Sequence, residues 1–452
     1  MARPAWRVLV MFAVAACGPG EPASTQHAAA PVAGARCEPG PLPAAFAPGV
    51  TAALEHADAF VVPGDDAVLV DADALARLRL AAAVGERAGS DGLDPWRAGW
   101  GPEGAALDAR ARVASYAGEL ARGEVVEQQR DAIAAARRRV DALQPVDHAR
   151  LVVAQSQLYC APIEGAVLRA PHDPAFDRNL CSTLHPGELL RVLGRSDAGA
   201  WLLVDAGHTM GWVRGDTLSA RLSEADRMAW RDAPRLHALR DDVRTRAGVP
   251  VRMGVGLPLL GRDDDGAFRV RVAAAKGPID DHVENDAAVV EGYAALTRAA
   301  VFSAAFAQIG APYGWGGRDG GRDCSQWLRD TLLPFGLTLP RHSSQQALAG
   351  VRTVDVAGLD DAAKLAAIAD ASATGLVLEY LPGHVMLDVG ARDGHRFAIS
   401  SIAEFLVPCD GGGGDTLYRL DRVAVTDLET GRGSARTSLL ERITTLAVFG
   451  PA

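Results

Sequence analysis

The chain has 452 residues, 48% of them hydrophobic, enough for several packed cores and an expectation of about two to four domains. Its 46 Lys and Arg stand against 56 Asp and Glu, and the net charge of −10 argues against nucleic acid as a partner. Beyond the first segment no apolar run approaches the roughly 20 residues that a membrane-spanning helix needs, so the remainder reads as soluble.

At the N-terminus, Arg3 and Arg7 precede a short apolar core from Val8 to Val14. That order marks a secretory signal rather than part of the fold. The segment Val14-Ala15-Ala16-Cys17 resembles a bacterial lipobox. The resemblance implies cleavage before Cys17, lipid on its sulfur, and export with attachment to a membrane through acyl chains. Gly18 follows, with no aspartate there, which by the same analogy favours the outer membrane facing the periplasm. Residues 18–36 are small and nearly uncharged and read as a flexible tether.

Residues 37–149 read as a helical N-terminal segment. A helix is expected over Asp71 to Glu86, and a helical hairpin over 106–144, where apolar residues recur at helical spacing. Arg137-Arg138-Arg139 reads as a solvated face. From 150 to 222 short β-like runs follow, broken by Pro, Gly and Asp: Leu151 to Val153, Ala166 to Leu168, Leu189 to Leu193, Trp201 to Val204 and Gly211 to Val213. Residues 223–290 give a weaker second set, with Val251 to Gly254, Leu257-Pro258 and Phe268 to Val272. Residues 291–452 then carry helices at Tyr293 to Ile309, Cys324 to Phe335 and Asp360 to Ala371. Strands follow at Gly375 to Tyr380, His384 to Val389, Arg396 to Ser400 and Arg422 to Asp427, with Gly411 to Gly414 as a loop. Helices followed by strands predict an α+β domain.

Three stretches carry chemistry: Ala311-Pro-Tyr-Gly-Trp-Gly-Gly317, Arg322-Asp-Cys-Ser325 and Leu339-Pro-Arg-His-Ser343. With Leu381-Pro-Gly-His384 they closely resemble the NlpC-type family of papain-like cysteine peptidases. Phe176-Asp-Arg178, Pro186-Gly-Glu188 and Gly211-Trp-Val213 resemble a bacterial SH3-like domain, and residues 223–290 a divergent second copy. The resemblance implies an α+β fold in which a helical segment and two SH3-like barrels precede a papain-like catalytic domain. It also implies hydrolysis of peptidoglycan stem peptides between γ-D-glutamate and a diamino acid.

The residues support that chemistry independently. Cys324 stands at the start of an expected helix, where free N–H groups and the helix dipole favour a thiolate. His384, sequence-distant and at the start of a strand, is the expected partner for acid–base work. As a pair in these motifs they are the expected nucleophile and base; alone they would read as a buried thiol and a core histidine. Tyr313 matches a family tyrosine that reaches into the active site. Trp315 reads as packing, and Gly316 and Gly317 as the residues of a tight turn. Asp323, Ser325, Arg341 and Ser343 are candidate substrate or oxyanion contacts. Family members place a third polar residue one strand after the histidine. Here Ser400 takes that place, with His395 and Glu404 fitting the strand phase less well. A serine orients imidazole less firmly than a charged group, and His342 stands where close relatives carry Asp or Asn.

Setting aside Cys17 for lipid and Cys324 for catalysis, Cys37, Cys160, Cys181 and Cys409 remain, with three pairings open. Cys160 with Cys181, local and inside one expected domain, is preferred. No metal-ligand cluster and no phosphate-cradling loop is evident, so neither metal nor cofactor is expected. Two other functions stay open: a peptidoglycan-binding lipoprotein whose peptidase fold has lost turnover, and an amidase or acyltransferase on the same fold.

Overall fold

A computed structural model describes residues 37, 40–85, 92–97, 99–410 and 413–451. The signal segment, Cys17, the tether and part of the Gly411–Gly414 loop lie outside the described residues. Among the described residues no helix is long and apolar enough to cross a membrane.

The centre of the C-terminal region is a seven-stranded sheet. Its order is Leu42–Pro43, Asp415–Asp427, His395–Pro408, His384–Arg392, Leu376–Leu381, Thr445–Phe449 and Arg352–Asp355. Neighbours run antiparallel, save the parallel first pair. The sheet is covered on both faces. Val385, Leu387 and Val389 meet Trp327, Leu328 and Leu332 of the helix Cys324–Leu332 on one side. Met386 meets Ile368 and Ala371 of the helix Asp361–Thr374 on the other. Strict alternation of the strand produces this division.

Ahead of this layer sit two smaller β units. A six-stranded sheet takes the order Gln144–Leu151, Leu189–Ser196, Trp201–Asp205, Met210–Arg214, Ser156–Tyr159 and Leu180–Leu184. A five-stranded sheet takes the order Gly277–Val283, Phe268–Ala274, Gly256–Arg262, Arg235–Ala238 and Val289–Glu291.

Several expected bounds shift, each for a local reason. The first helix runs Ala72–Val84, capped by the Asp71 side chain and ended by Gly85 in the left-handed region. The hairpin is the pair Pro102–Ala121 and Arg130–Asp141. A strand of the six-stranded unit already begins at Gln144, so the 149/150 boundary cuts through it. The helix expected from Tyr293 starts only at Arg298, because Thr297 caps it while pairing with Val68. Ala166 to Leu168 and Val251 to Gly254 form no strand; Val167 is buried with its N–H bonded to Asp177, outside any ladder. Strand Val289–Glu291 crosses the expected boundary at 290. The terminal strand Thr445–Phe449 has no counterpart in the sequence reading.

The N-terminal segment is not one piece. Ala47, Val50, Phe60 and Leu75 join the core under the seven-stranded sheet, whereas Ala105, Val113 and Ile133 pack on the six-stranded unit. Arg139 is less solvated than its run implies, since it bonds Asp197 and the Pro162 carbonyl. Two disulfides form, Cys160–Cys181, as preferred, and Cys37–Cys409.

One buried ionic cluster joins the three β regions. Asp330, wholly buried, accepts from His185 at 3.0 Å and from Arg322 at 2.7 Å. Arg322 also reaches Asp241 of the five-stranded unit, at 2.9 Å through Nη2. A buried charge needs such a complete set of partners, and here the partners come from separate units.

Candidate active site

Cys324 begins the helix Cys324–Leu332 and is 2% exposed. Asp323 is the N-cap, its carboxylate accepting from the Gln326 N–H at 3.0 Å. The thiol thus stands in the first turn of the helix, at the positive end of its dipole. Among the described residues Cys324 is the cysteine outside the disulfides.

His384 opens the strand His384–Arg392, directly after the tight turn from Leu381, with which it pairs. The Cys324 helix packs on this strand and on His395–Pro408. The His384 Nε2 stands 3.1 Å from the Ser400 hydroxyl. Burial, with Arg442 adding to it, pushes the imidazole down to about 3, and Asp323, the residue before Cys324, pulls the other way. His384 thus lies within electrostatic reach of the residue that caps the Cys324 helix. The alternatives to Ser400 are engaged elsewhere: His395 with Asp427 at 2.8 Å, and Glu404 with Arg419 and Arg436.

Asp323, Ser325 and Arg341 meet one another. Arg341 grips both Asp323 oxygens, at 3.0 and 2.5 Å, and its Nη1 donates to Ser325 at 2.8 Å. Asp323 also accepts from the Gly316 N–H at 3.0 Å. Burial alone would raise its carboxyl, but the Arg341 charge and these hydrogen bonds hold it below the usual carboxylate range. Ser343 is buried on the first turn of the short helix Ser343–Gln346. Gln346 donates to the Ser325 and Pro340 carbonyls, both at 2.8 Å, and so holds this segment to the Cys324 helix.

Tyr313 sits half-buried, its ring 6.5 Å from Phe176 of the six-stranded unit. Trp315 is buried, as expected of a packing residue, with Phe176 at 5.5 Å and the Arg178 guanidinium at 4.6 Å. Gly316 and Gly317 hold φ of 56° and 84°, and a Cβ on Gly317 would fall 1.6 Å from Thr183 Oγ1. These glycines serve the close approach of strand Leu180–Leu184 as much as the turn. A cleft of about 390 Å³ opens beside the site, its lining including Trp315, Asp323, Arg341 and His342 together with Arg112 and His208.

Sequence reasoning missed Ser401 and Gln326. The Ser401 hydroxyl donates to the Arg322 carbonyl at 2.7 Å, fastening the loop before Cys324 to the sheet. Gln326 pairs through its amide with both backbone groups of Thr183, at 3.3 Å each. A polar residue one turn into an otherwise buried helix was the available signal. Among the described residues no group of three or more His, Cys, Asp or Glu is arranged to hold a metal.

Residues 310–377 match the NlpC/P60 family. Probable endopeptidases of Mycobacterium bovis and of Mycobacterium tuberculosis are each 40% identical over 82 residues, which is 18% of this chain and 21% of theirs. The chain thus spans about a fifth of the length of the curated relatives it matches. A solved NlpC/P60 endopeptidase from Photobacterium damselae subsp. piscicida shares the fold at a TM-score of 0.70 and 14% identity. That likeness covers 91% of this chain and 99% of the other. The family match ends before His384, so the placement of His384 and Ser400 rests on geometry.

Proposed function

We propose that this chain, which carries an NlpC/P60 domain in its C-terminal part, is a cysteine endopeptidase acting on peptidoglycan stem peptides at the γ-D-glutamyl–diamino acid bond. One observation carries the reading. Cys324 opens a helix capped by Asp323, and that helix packs on the strand begun by His384, whose imidazole has Ser400 behind it. In this reading His384 takes the Cys324 thiol proton, the thiolate attacks the scissile carbonyl, and His384 passes that proton to the leaving amine as the carbon–nitrogen bond breaks. Water then releases the acyl group from the thioester. Ser400 orients the imidazole by a neutral hydrogen bond. The two smaller β sheets are SH3-like units that wall the substrate cleft, and the chain is exported and held to the outer membrane by lipid on Cys17.

Mass spectrometry of peptidoglycan fragments tests this. A new amine released by the native protein and absent with Cys324→Ala is expected. Release that persists in Cys324→Ala removes the proposal.

The neutral third residue favours one second reading, a wall-binding protein of the same fold with little turnover. It predicts retention on peptidoglycan, unchanged by Cys324→Ala, without product.

A further inference from the structure

Asp323 presents a problem for the nucleophile beside it. A carboxylate one residue from a thiol opposes thiolate formation, because the two negative charges repel. Yet Asp323 cannot be spared, since it caps the helix that carries Cys324. The structure resolves the conflict with Arg341. Its guanidinium is 3% exposed and reaches both Asp323 oxygens and the Ser325 hydroxyl. Its remaining edge is held from another unit: Nε donates to Ser182 Oγ at 3.0 Å, and Ser182 lies on strand Leu180–Leu184. Ser182 in turn stands 3.3 Å from the buried His208. With these partners the Asp323 oxygens are engaged within the protein.

We propose that Arg341 is a positioning residue rather than a substrate contact: it neutralises Asp323, fixes it as the cap of the Cys324 helix, and makes the field at Cys324 depend on docking of the six-stranded unit through Ser182. The inference rests on the reading of Cys324 as the nucleophile. The other groups around the thiol are His384 on its strand with Arg442 behind it, and His342 beside Arg341. Arg322, Arg329 and Asp330, on the same helix and its approach loop, form a separate cluster with His185 of the six-stranded unit. Only Arg341 contacts the Asp323 carboxylate as a cation among the described residues.

The test titrates the Cys324 thiolate by its ultraviolet absorbance, against a Cys324→Ala blank. The full chain with Cys17→Ser is used, the other four cysteines being in disulfides. Arg341→Met leaves the Asp323 charge unbalanced and should raise the thiol midpoint by about one pH unit or more. The double variant Arg341→Met with Asp323→Asn removes both charges, keeps a capping side chain, and should return the midpoint towards the native value. Ser182→Ala, which leaves the ion pair in place, should give a smaller rise in the same direction and keeps the test open should Arg341→Met fail to fold. An unchanged midpoint in Arg341→Met or Ser182→Ala overturns the proposal, as does a double variant no better than the single one. The titration needs no substrate. Failure of the peptidase reading would appear instead as absent turnover by the native protein.

Discussion

The imidazole of His384 meets a hydroxyl, at 3.1 Å in Ser400, where a charged or amide side chain would hold it more firmly. A neutral hydrogen bond contributes about 1 kcal/mol. Ser400→Ala should therefore lower kcat for stem-peptide hydrolysis by roughly tenfold or less, with KM little changed. A far larger fall would mean that Ser400 does more than orient the ring. Steady-state kinetics on a purified stem peptide decides between them.

Arg442 acts on the same ring from the opposite charge sense. Burial is the larger cause of the depressed His384 titration, and the Arg442 guanidinium adds to it. Arg442→Met should move the His384 midpoint upward, towards the ordinary histidine value. Nuclear magnetic resonance of the imidazole in a Cys324→Ala background reads this directly, without coupling to the thiol. A midpoint that stays in place would show that burial acts alone.

Acid should destabilise the fold through its buried histidines. Burial holds His342 and His237 near 4, against an ordinary value of 6.5. Between those limits the unfolded chain binds protons that the native chain refuses. Stability is full above pH 6.5 and falls as pH drops towards 4. The two histidines together cost several kcal/mol at most, roughly 3 each. Urea midpoints measured across this range should fall steadily, and His237→Gln should flatten part of the slope.

Gly317→Ala should weaken the union of the catalytic loop with the six-stranded unit. The new methyl would overlap Thr183 Oγ1, and φ at this position is 84°. The expected loss exceeds about 1 kcal/mol, and limited proteolysis should cut more readily near Leu180–Leu184. Gly320, at φ 80° with only the Gln155 amide nearby at 3.0 Å, is the control: alanine there meets backbone strain without the steric block.

The motifs around Cys324, Arg341 and His384 were legible because local spacing encodes them: a cap, a helix start, a turn before a strand. The helices capped by Asp71, Asp360 and Asp323 were legible for the same reason. What lies between distant segments was not. Residues 40–85 pack under the C-terminal sheet while 102–141 pack on the six-stranded unit, and no periodicity separates those destinations. The engagement of Asp323 by Arg341 was equally hidden, since each residue alone reads as a free polar group in a groove. Ser401 escaped notice because its neighbour Ser400 fitted the expected slot.

The Cys37–Cys409 bond closes a ring of most of the chain, its ends 372 positions apart. Cys409 lies just past the strand His395–Pro408, in the hairpin of the two longest strands of the seven-stranded sheet. Any leash that pulls on residue 37 is thus shackled to the central sheet. Tension would pass through sulfur into that hairpin and spare the short Leu42–Pro43 strand from being peeled away.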